Sequence, residues 1–442
     1  MEPQAELRQP QSPTQGVYGF NPPGQPVRLY QGRIGGVTDT DHQGVIELSF
    51  GSGPRLLWRV LSESDDLVGP MDPFSMSVDK NGAARRIEAF KSSFSRGWIN
   101  HAEFSSGAKL DHVITHWINL PDTAGRIPLT ESNEGGRATW AGRLAFESLG
   151  WNVVIDRRRD HKEAFENTNV DNVYAITHVM KVSRVDGNEF SVESISTFLD
   201  YLRVSMSFAL GRWVSPALPV GYSKEGGLAW ESWSSPLCDP AKAVGQAVIY
   251  HRSSSDLLRY LELSLVALSS EGENGPLRFQ MVSAIQATQD GFVEQRITTA
   301  FAALENIAWI ALVLDGVVRR ADFEGRSWTG ARKLQKILAL AKISPSVDDF
   351  DLPALKEFVA RERGMDGPAA LVKVRNRLVH PKSPRDEVYH IPGLMVDAWF
   401  LTRYYLFLLI LNRVGYDGSI SGQVPPFGYY SDTERVPWAV SE

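Results

Sequence analysis

A single cysteine, Cys238, stands among 442 residues. That excludes an intrachain disulfide framework and any site built from several thiolates, and a reducing, cytoplasmic setting is expected. Positive charge is not in excess either. The net charge of −6 gives no global basic footprint, so a polyanion would have to be met by a local patch. The start "MEPQAELRQPQSPTQG" has neither the basic residues nor the apolar core of a signal peptide. No long hydrophobic run is free of charge. Phe301–Val318 carries Glu305 and Asp315, and Leu394–Leu411 carries Asp397 and Arg403. Charges in mid-span are expensive in lipid, so both stretches are expected to be buried helices and no membrane segment is expected. Also missing are a P-loop, a Rossmann glycine pattern and a G-x-S-x-G elbow, which leaves nucleotide hydrolysis and esterase chemistry without sequence support.

What is present is an ordinary globular balance, 43% apolar and 22% charged, in a chain long enough for two or three cores. Residues 1–28, rich in Pro, Gln and Gly, read as a flexible arm. From 29 to about 195 the texture is short alternating runs broken by turn residues, such as "VIELSF", "RLLWRVL" and "WNVVID". "VDGN" at 185–188 is a hairpin signal. Residues 29–271 therefore read as a β-rich, sandwich-like domain, with helices near 192–211 and 254–268 and a strand pair between them. After "EGENGP" at 271–276 the spacing predicts helices over about 277–289, 292–320, 329–343, 352–363, 368–380 and 394–413. The expected fold class is α+β, with a division near residue 272.

The helix "DGPAALVKVRNRLVHP" has readable ends. Pro368 suits a first turn, and Pro381 blocks continuation past His380. At 100° per residue, Leu371, Val374 and Leu378 form a stripe widened by Val372 and Val379, while Lys373 and Arg377 point toward solvent. Arg375 falls near the centre of the apolar arc. A guanidinium there needs an anion. Glu305 or Asp315 could supply an internal partner. Alternatively the stripe borders a cleft or a self-association seam, where the arginine's planar fork awaits a phosphate. His380 sits at the helix C-terminus. The dipole there favours the imidazolium and a nearby arginine opposes it, leaving a ring able to give and take a proton near neutrality. Asn376, four residues earlier, stacks on the same flank. Between 356 and 385 stand eight Lys/Arg against three acids, a basic island in an acidic chain.

"RNRLVH" resembles the R-x(4–6)-H signature of HEPN domains, with a polar residue after the arginine. The helical region around it, including "AALENIAW" and the hydrophobic closing helix, is similar to a HEPN domain over residues 272–442. The β-rich region followed by "YLRVSMSFALGRWVSP" resembles ApeA-type proteins, anti-phage HEPN ribonucleases. The resemblance implies an all-α HEPN bundle after the β-rich domain and a metal-independent endoribonuclease without cofactors. It implies RNA as substrate, with tRNA among the candidates, and a homodimer whose two motifs share one cleft. It also implies a phage-derived trigger and abortive infection as the biological setting. In it, Arg375, Asn376 and His380 are the catalytic residues, with Glu305 in support. Lys373, Arg377, Lys382 and Arg385 are candidate RNA contacts. A different reading keeps the helical domain as a non-catalytic RNA-binding or scaffolding module, with Arg375 in a structural ion pair and His380 a plain cap. A third is a ligand-binding β-domain with a helical oligomerisation module.

Two further signals carry less. His112 and His116 in "DHVITHW" alternate as a strand, which separates them by about 13 Å and argues against a shared metal. "DRRRDHKEAF" at 156–165 reads as a solvated loop.

Overall fold

The computed structural model describes residues 9–61, 73–80, 83–93, 95–123, 125–133, 136–241, 247–361, 364–381, 387–427, 429 and 432–439. The chain divides into two compact units. The first comprises Met1–Arg203 and Trp213–Ala243, and the second Val204–Arg212 and Val244–Glu442. The architecture is α+β, with strands in the first unit and helices dominating the second.

In the first unit, six strands close an antiparallel barrel: β1 (Val27–Gly35), β2 (His42–Ser49), β3 (Arg55–Val60), β4 (Pro73–Lys80), β5 (Ala83–Lys91) and β6 (Arg96–Ile99). The order is β1-β2-β3-β6-β5-β4, with β4 pairing back to β1. Period-two alternation drives it. In β3, Leu56, Trp58 and Val60 turn inward while Arg55, Leu57 and Arg59 face out. Gly97 on β6 is required by close approach, because an added Cβ would overlap the Phe90 carbonyl oxygen. Eight further strands form an antiparallel sheet: β7 (His101–Ser105), β8 (His112–Ile118), β9 (Ile127–Asn133), β10 (Gly136–Ser148), β11 (Trp151–Arg157), β12 (Ile176–Arg184), β13 (Ser215–Tyr222) and β14 (Leu228–Ser234). Their order is β7-β14-β13-β8-β12-β11-β10-β9. Where a sandwich or a curled sheet was expected, the first unit holds a closed barrel and an eight-stranded sheet, a choice set by long-range strand pairing that alternation cannot specify. Helix α1 (His161–Asp171) lies between β11 and β12, and α2 (Val192–Leu210) follows β12.

Three expectations are corrected here. Residues 9–28 are not a loose arm. Tyr18 and Asn21 are buried, Thr14 N donates to Asp156 Oδ2 at 2.7 Å, and Gln11 bridges to Leu129. The Tyr18 hydroxyl donates to buried Glu231, which also takes Lys80 Nζ at 2.5 Å and Trp233 Nε1 at 2.8 Å. Proline-rich composition limits helix and strand, but it does not prevent a strap from packing across a sheet. "VDGN" makes no hairpin: after Gly187 the chain pairs Phe190 with Leu110 instead of folding back on β12. The run "DRRRDHKEAF" is not a solvated loop, since Asp156, Arg157 and Arg158 are all buried. Opposite charges pair with its members, with Arg143 on Asp156 at 2.6 Å, Arg157 on Asp122, and Arg158 on Asp160 at 2.5 Å.

The second unit holds α3 (Ser254–Glu271), α4 (Pro276–Gln286), α5 (Val293–Trp309), α6 (Arg320–Phe323), α7 (Gly330–Leu340), α8 (Pro353–Ala360), α9 (Gly367–Val379) and α10 (Leu394–Arg413). The expected division near 272 falls inside this unit. "EGENGP" is only the turn between α3 and α4, with Glu271 accepting from Leu277 N at 2.8 Å and pairing with Arg413 at 2.5 Å. The predicted helix 292–320 is shorter. It ends in a π-turn, Ile310–Leu314, and breaks at Gly316, whose φ of 75° is left-handed.

Helix α10 is apolar around nearly its whole circumference, and it packs against α4, α5, α8 and α9. Its charges are used internally. Asp397 Oδ2 accepts from Ala354 N and Leu355 N at 2.9 and 3.1 Å, capping α8. Arg403 donates to the Gln423 carbonyl at 2.8 Å and lies over the Trp399 ring. By length and composition two helical stretches could cross a membrane, Val293–Leu314 and Leu394–Arg413. Of the apolar windows within them, 44% and 78% are buried in the fold.

Candidate functional site

The site begins with how α9 is set. Asp366 caps it, accepting from Ala369 N at 2.9 Å, and its second oxygen takes Gln335 Nε2 of α7 at 2.7 Å. Gly367 allows the first turn to press on the Pro345 carbonyl and the Tyr405 hydroxyl, each closer than a Cβ would tolerate. The crossing with α7 is tight but less so: a Cβ on Gly330 would stand 3.3 Å from Val372 Cγ1. These contacts bury Ala370, Leu371 and Val374. The apolar stripe stops there. Leu378 is only half-buried and Val379 is 45% exposed, so the stripe expected to run the length of α9 covers its first two turns.

Where α5, α7 and α9 diverge, a groove of about 340 Å³ opens. Its floor is apolar, with Phe301 and Leu304 from α5 and Leu334 from α7, and Glu305, Lys333, Arg375 and Asn376 make its polar part. Arg375 Nη2 donates to Glu305 Oε1 at 2.8 Å, and Nη1 donates to Asn376 Oδ1 at 3.1 Å. Of the two acids open as partners in the sequence, Glu305 is the one engaged. Neither group is walled in: the Arg375 side chain is 26% exposed and that of Glu305 59%. A pair this open contributes about 0–1 kcal/mol, so an arriving phosphate can compete for the guanidinium.

His380 is placed differently. It is exposed, it caps α9 with φ −132° and ψ 67°, and its amide donates to the Asn376 carbonyl at 2.7 Å. It does not line the groove. At about 100° per residue, His380 lies roughly 40° around the helix from Asn376 but about 140° from Arg375. The structure therefore brings Arg375, Asn376 and Glu305 together and sets His380 on an adjacent face, about one turn further along.

The expected RNA contacts fare unevenly. Lys373 and Arg377 are half-buried rather than solvent-directed, and Lys373 Nζ stands 5.2 Å from the Phe358 ring centroid. Lysine stems commonly cover apolar surface in this way. Lys382 and Arg385 lie outside the described residues. Lys333, not singled out in the sequence, reaches the groove with its Nζ 3.8 Å from the Phe323 ring centroid. The amphipathic "GARKLQKIL" marks a helix, but only the packing of α7 on α9 chooses which of its lysines faces the groove.

His112 and His116 do lie on one strand, β8. His116 is fully buried, Tyr18 N donates to its Nε2 at 3.2 Å, and burial pushes its pKa down to about 4. His112 instead faces Asp111, Nδ1 to Oδ2 2.8 Å. Among the described residues, no group of three or more His, Cys, Asp or Glu is placed to hold a metal ion.

Two family models match the chain, the YopA central domain over residues 105–244 and the YopA C-terminal domain over residues 283–432. The groove residues and His380 fall within the second stretch. A curated relative is the SPbeta prophage-derived uncharacterized protein YopA of Bacillus subtilis (strain 168). It is 27% identical over 307 residues, which cover 69% of this chain and 67% of its own. No solved structure matches.

Proposed function

We propose that the chain is a metal-independent endoribonuclease of HEPN type acting in defence against phage, tRNA being a candidate substrate. The β-rich unit then senses a phage-derived trigger or restrains the nuclease. The observation that carries this reading is Arg375: a guanidinium on an otherwise apolar helix face, beside an open groove, held by a half-exposed carboxylate it can exchange for phosphate. In the reaction the ribose 2′-hydroxyl attacks the adjacent phosphorus as an imidazole takes its proton. The bond from phosphorus to the 5′-oxygen breaks, and that oxygen is protonated, leaving a cyclic phosphate and a 5′-hydroxyl. His380 is the proton-transfer group, Arg375 stabilises the charge gathering on phosphorus, and Asn376 orients a phosphate oxygen or the ring.

One subunit alone points Arg375 and His380 in different directions. A homodimer supplies the second set, so that arginine and histidine converge on one ribose–phosphate link, with two-fold pairing the default. Apolar surface for such pairing exists near the groove's helix α5, where Leu314 is 65% and Val317 45% exposed beyond its end.

The occupied Arg375–Glu305 pair and the displaced His380 favour one competing reading, a non-catalytic RNA-binding or scaffolding protein. Purified dimer incubated with RNA, with and without extract of phage-infected cells, separates the two. The nuclease reading expects cleavage that persists in EDTA, and loss of cleavage in both His380→Ala and Arg375→Ala. Uncut RNA in every condition, with binding retained, overturns it in favour of the scaffold.

A further inference from the structure

A dense run of positive charge lies in the segment that carries α6 and α7. Between Arg319 and Lys342 stand seven Lys/Arg against two acids, Asp322 and Glu324, in a chain whose net charge is −6. Both acids are spent on the first two arginines, Arg319 to Asp322 at 2.7 Å and Arg320 to Glu324 at 2.9 Å. The cations that follow have no counter-charge. Among the described residues, Arg326, Lys333 and Lys336 make no hydrogen bond or ion pair, and the Arg332 side chain bonds only the Ser327 carbonyl, at 3.2 Å.

Helix geometry fans these groups over one edge. Leu334, Ile337 and Leu338 bury the inner face of α7. Arg332 and Lys336 are thereby turned to solvent about 40° apart, and Lys333 stands about 60° further round, at the rim of the groove. One turn separates Arg332 from Lys336, about 6 Å along the axis. That rise is comparable to the separation of successive phosphates along a nucleic-acid strand.

Planar groups alternate with the charges. The Arg332 guanidinium lies 4.8 Å from the Trp328 ring centroid, and Lys333 Nζ lies 3.8 Å from that of Phe323. Trp328 is half-buried, so part of its indole stays in solvent, and Arg326 is exposed two residues before it. A face that only keeps a helix soluble mixes both signs of charge. This one carries a single sign, with an indole beside it.

We propose that this edge of the second unit is the track on which single-stranded RNA lies, leading from the groove through Lys333 and across α7 to Trp328 and Arg326. Phosphates meet Arg326, Lys333 and Lys336, and an unpaired base stacks on the Trp328–Arg332 pair. A duplex keeps its base faces stacked on one another, so it meets the charges alone. The choice of RNA rests on the function proposed above; binding on this surface requires neither His380 nor cleavage.

Fluorescence anisotropy of the full chain carrying His380→Ala tests it, with a short labelled single-stranded RNA, the same RNA as a duplex, and polyphosphate as probes. The single strand is expected to bind about tenfold more tightly than either of the others. Arg326→Ala and Lys336→Ala should each reduce the slope of log affinity against log salt by about 0.7. Trp328→Leu should weaken the single strand about tenfold and leave polyphosphate unchanged, with thermal unfolding reporting that each variant is folded. Absence of binding, equal binding of strand and duplex, a salt slope indifferent to both cations, or affinity indifferent to Trp328→Leu each overturns the proposal. Binding that depends on these residues in a wild-type chain that cuts no RNA supports the track and sinks the nuclease alone. Cleavage whose KM ignores Arg326, Lys336 and Trp328 sinks the track alone.

Discussion

Arg403 and Arg375 both stand on apolar helices of the second unit, α10 and α9, and the two are housed in opposite ways. Arg403 is 2% exposed, stacked over Trp399, bonded to the Gln423 carbonyl, and its pKa is lowered to about 10, by burial first and then by Arg296. Arg375 keeps a quarter of its side chain in solvent and shares an exposed carboxylate beside a groove. The same sequence anomaly, a cation within an apolar pattern, thus arises from a buried clamp in one place and from a part-exposed ion pair beside a groove in the other. Helix periodicity cannot tell them apart. What separates them is whether the helix is surrounded, as α10 is, or lies where neighbours diverge, as α9 does.

Substitution should split the two. Arg403→Ala opens a cavity among Trp399, Phe400 and Phe407 and orphans a carbonyl, and should cost about 3–5 kcal/mol of stability in urea unfolding. Arg403→Met, which refills the space, should recover most of that loss. Arg375→Ala should leave the unfolding midpoint nearly unchanged but reduce RNA cleavage at least a hundredfold, about 3 kcal/mol on the barrier. A large stability loss in Arg375→Ala would make the two arginines alike and remove the basis for the contrast.

Acid sharpens the same distinction between buried and open groups. His116 is neutral in the fold with its pKa near 4, so between about pH 6.5 and 4 the unfolded chain takes a proton that the folded chain refuses. Stability contributed above pH 6.5 is then lost as pH falls, by roughly 3 kcal/mol for this residue. His178, fully buried and also shifted well down, adds to the slope. His116→Gln should flatten the dependence of unfolding free energy on pH across that window. The smallest effect is expected from Glu305→Gln: under about 1 kcal/mol of stability, with tighter RNA binding at low salt as Arg375 loses its internal competitor.

Helices α2 to α5 and α7 to α10 were legible because their apolar spacing is local, but the break after α5 and the short α6 were not, and for Arg375 the sequence left Glu305, Asp315 and an external phosphate open, of which the structure shows Glu305 engaged. The barrel was not, since closing β4 onto β1 is a choice made between residues over 40 positions apart. The strap at 9–28 and the basic run at 156–159 were misread for a shared reason. Tyr18 finds Glu231 and Arg157 finds Asp122, and neither partner is visible from composition. The motif residues could be named from the sequence, but their directions could not be settled there. Val379 and Leu378 drift out of the core, and His380 ends on a face away from the groove.

The most direct measurement is sequencing of RNA 5′- and 3′-ends from cells expressing the wild-type chain, Arg375→Ala or His380→Ala. The account predicts new ends carrying cyclic phosphate and 5′-hydroxyl groups in the wild type alone. Identical end profiles in all three strains, in uninfected and phage-infected cells alike, would contradict it.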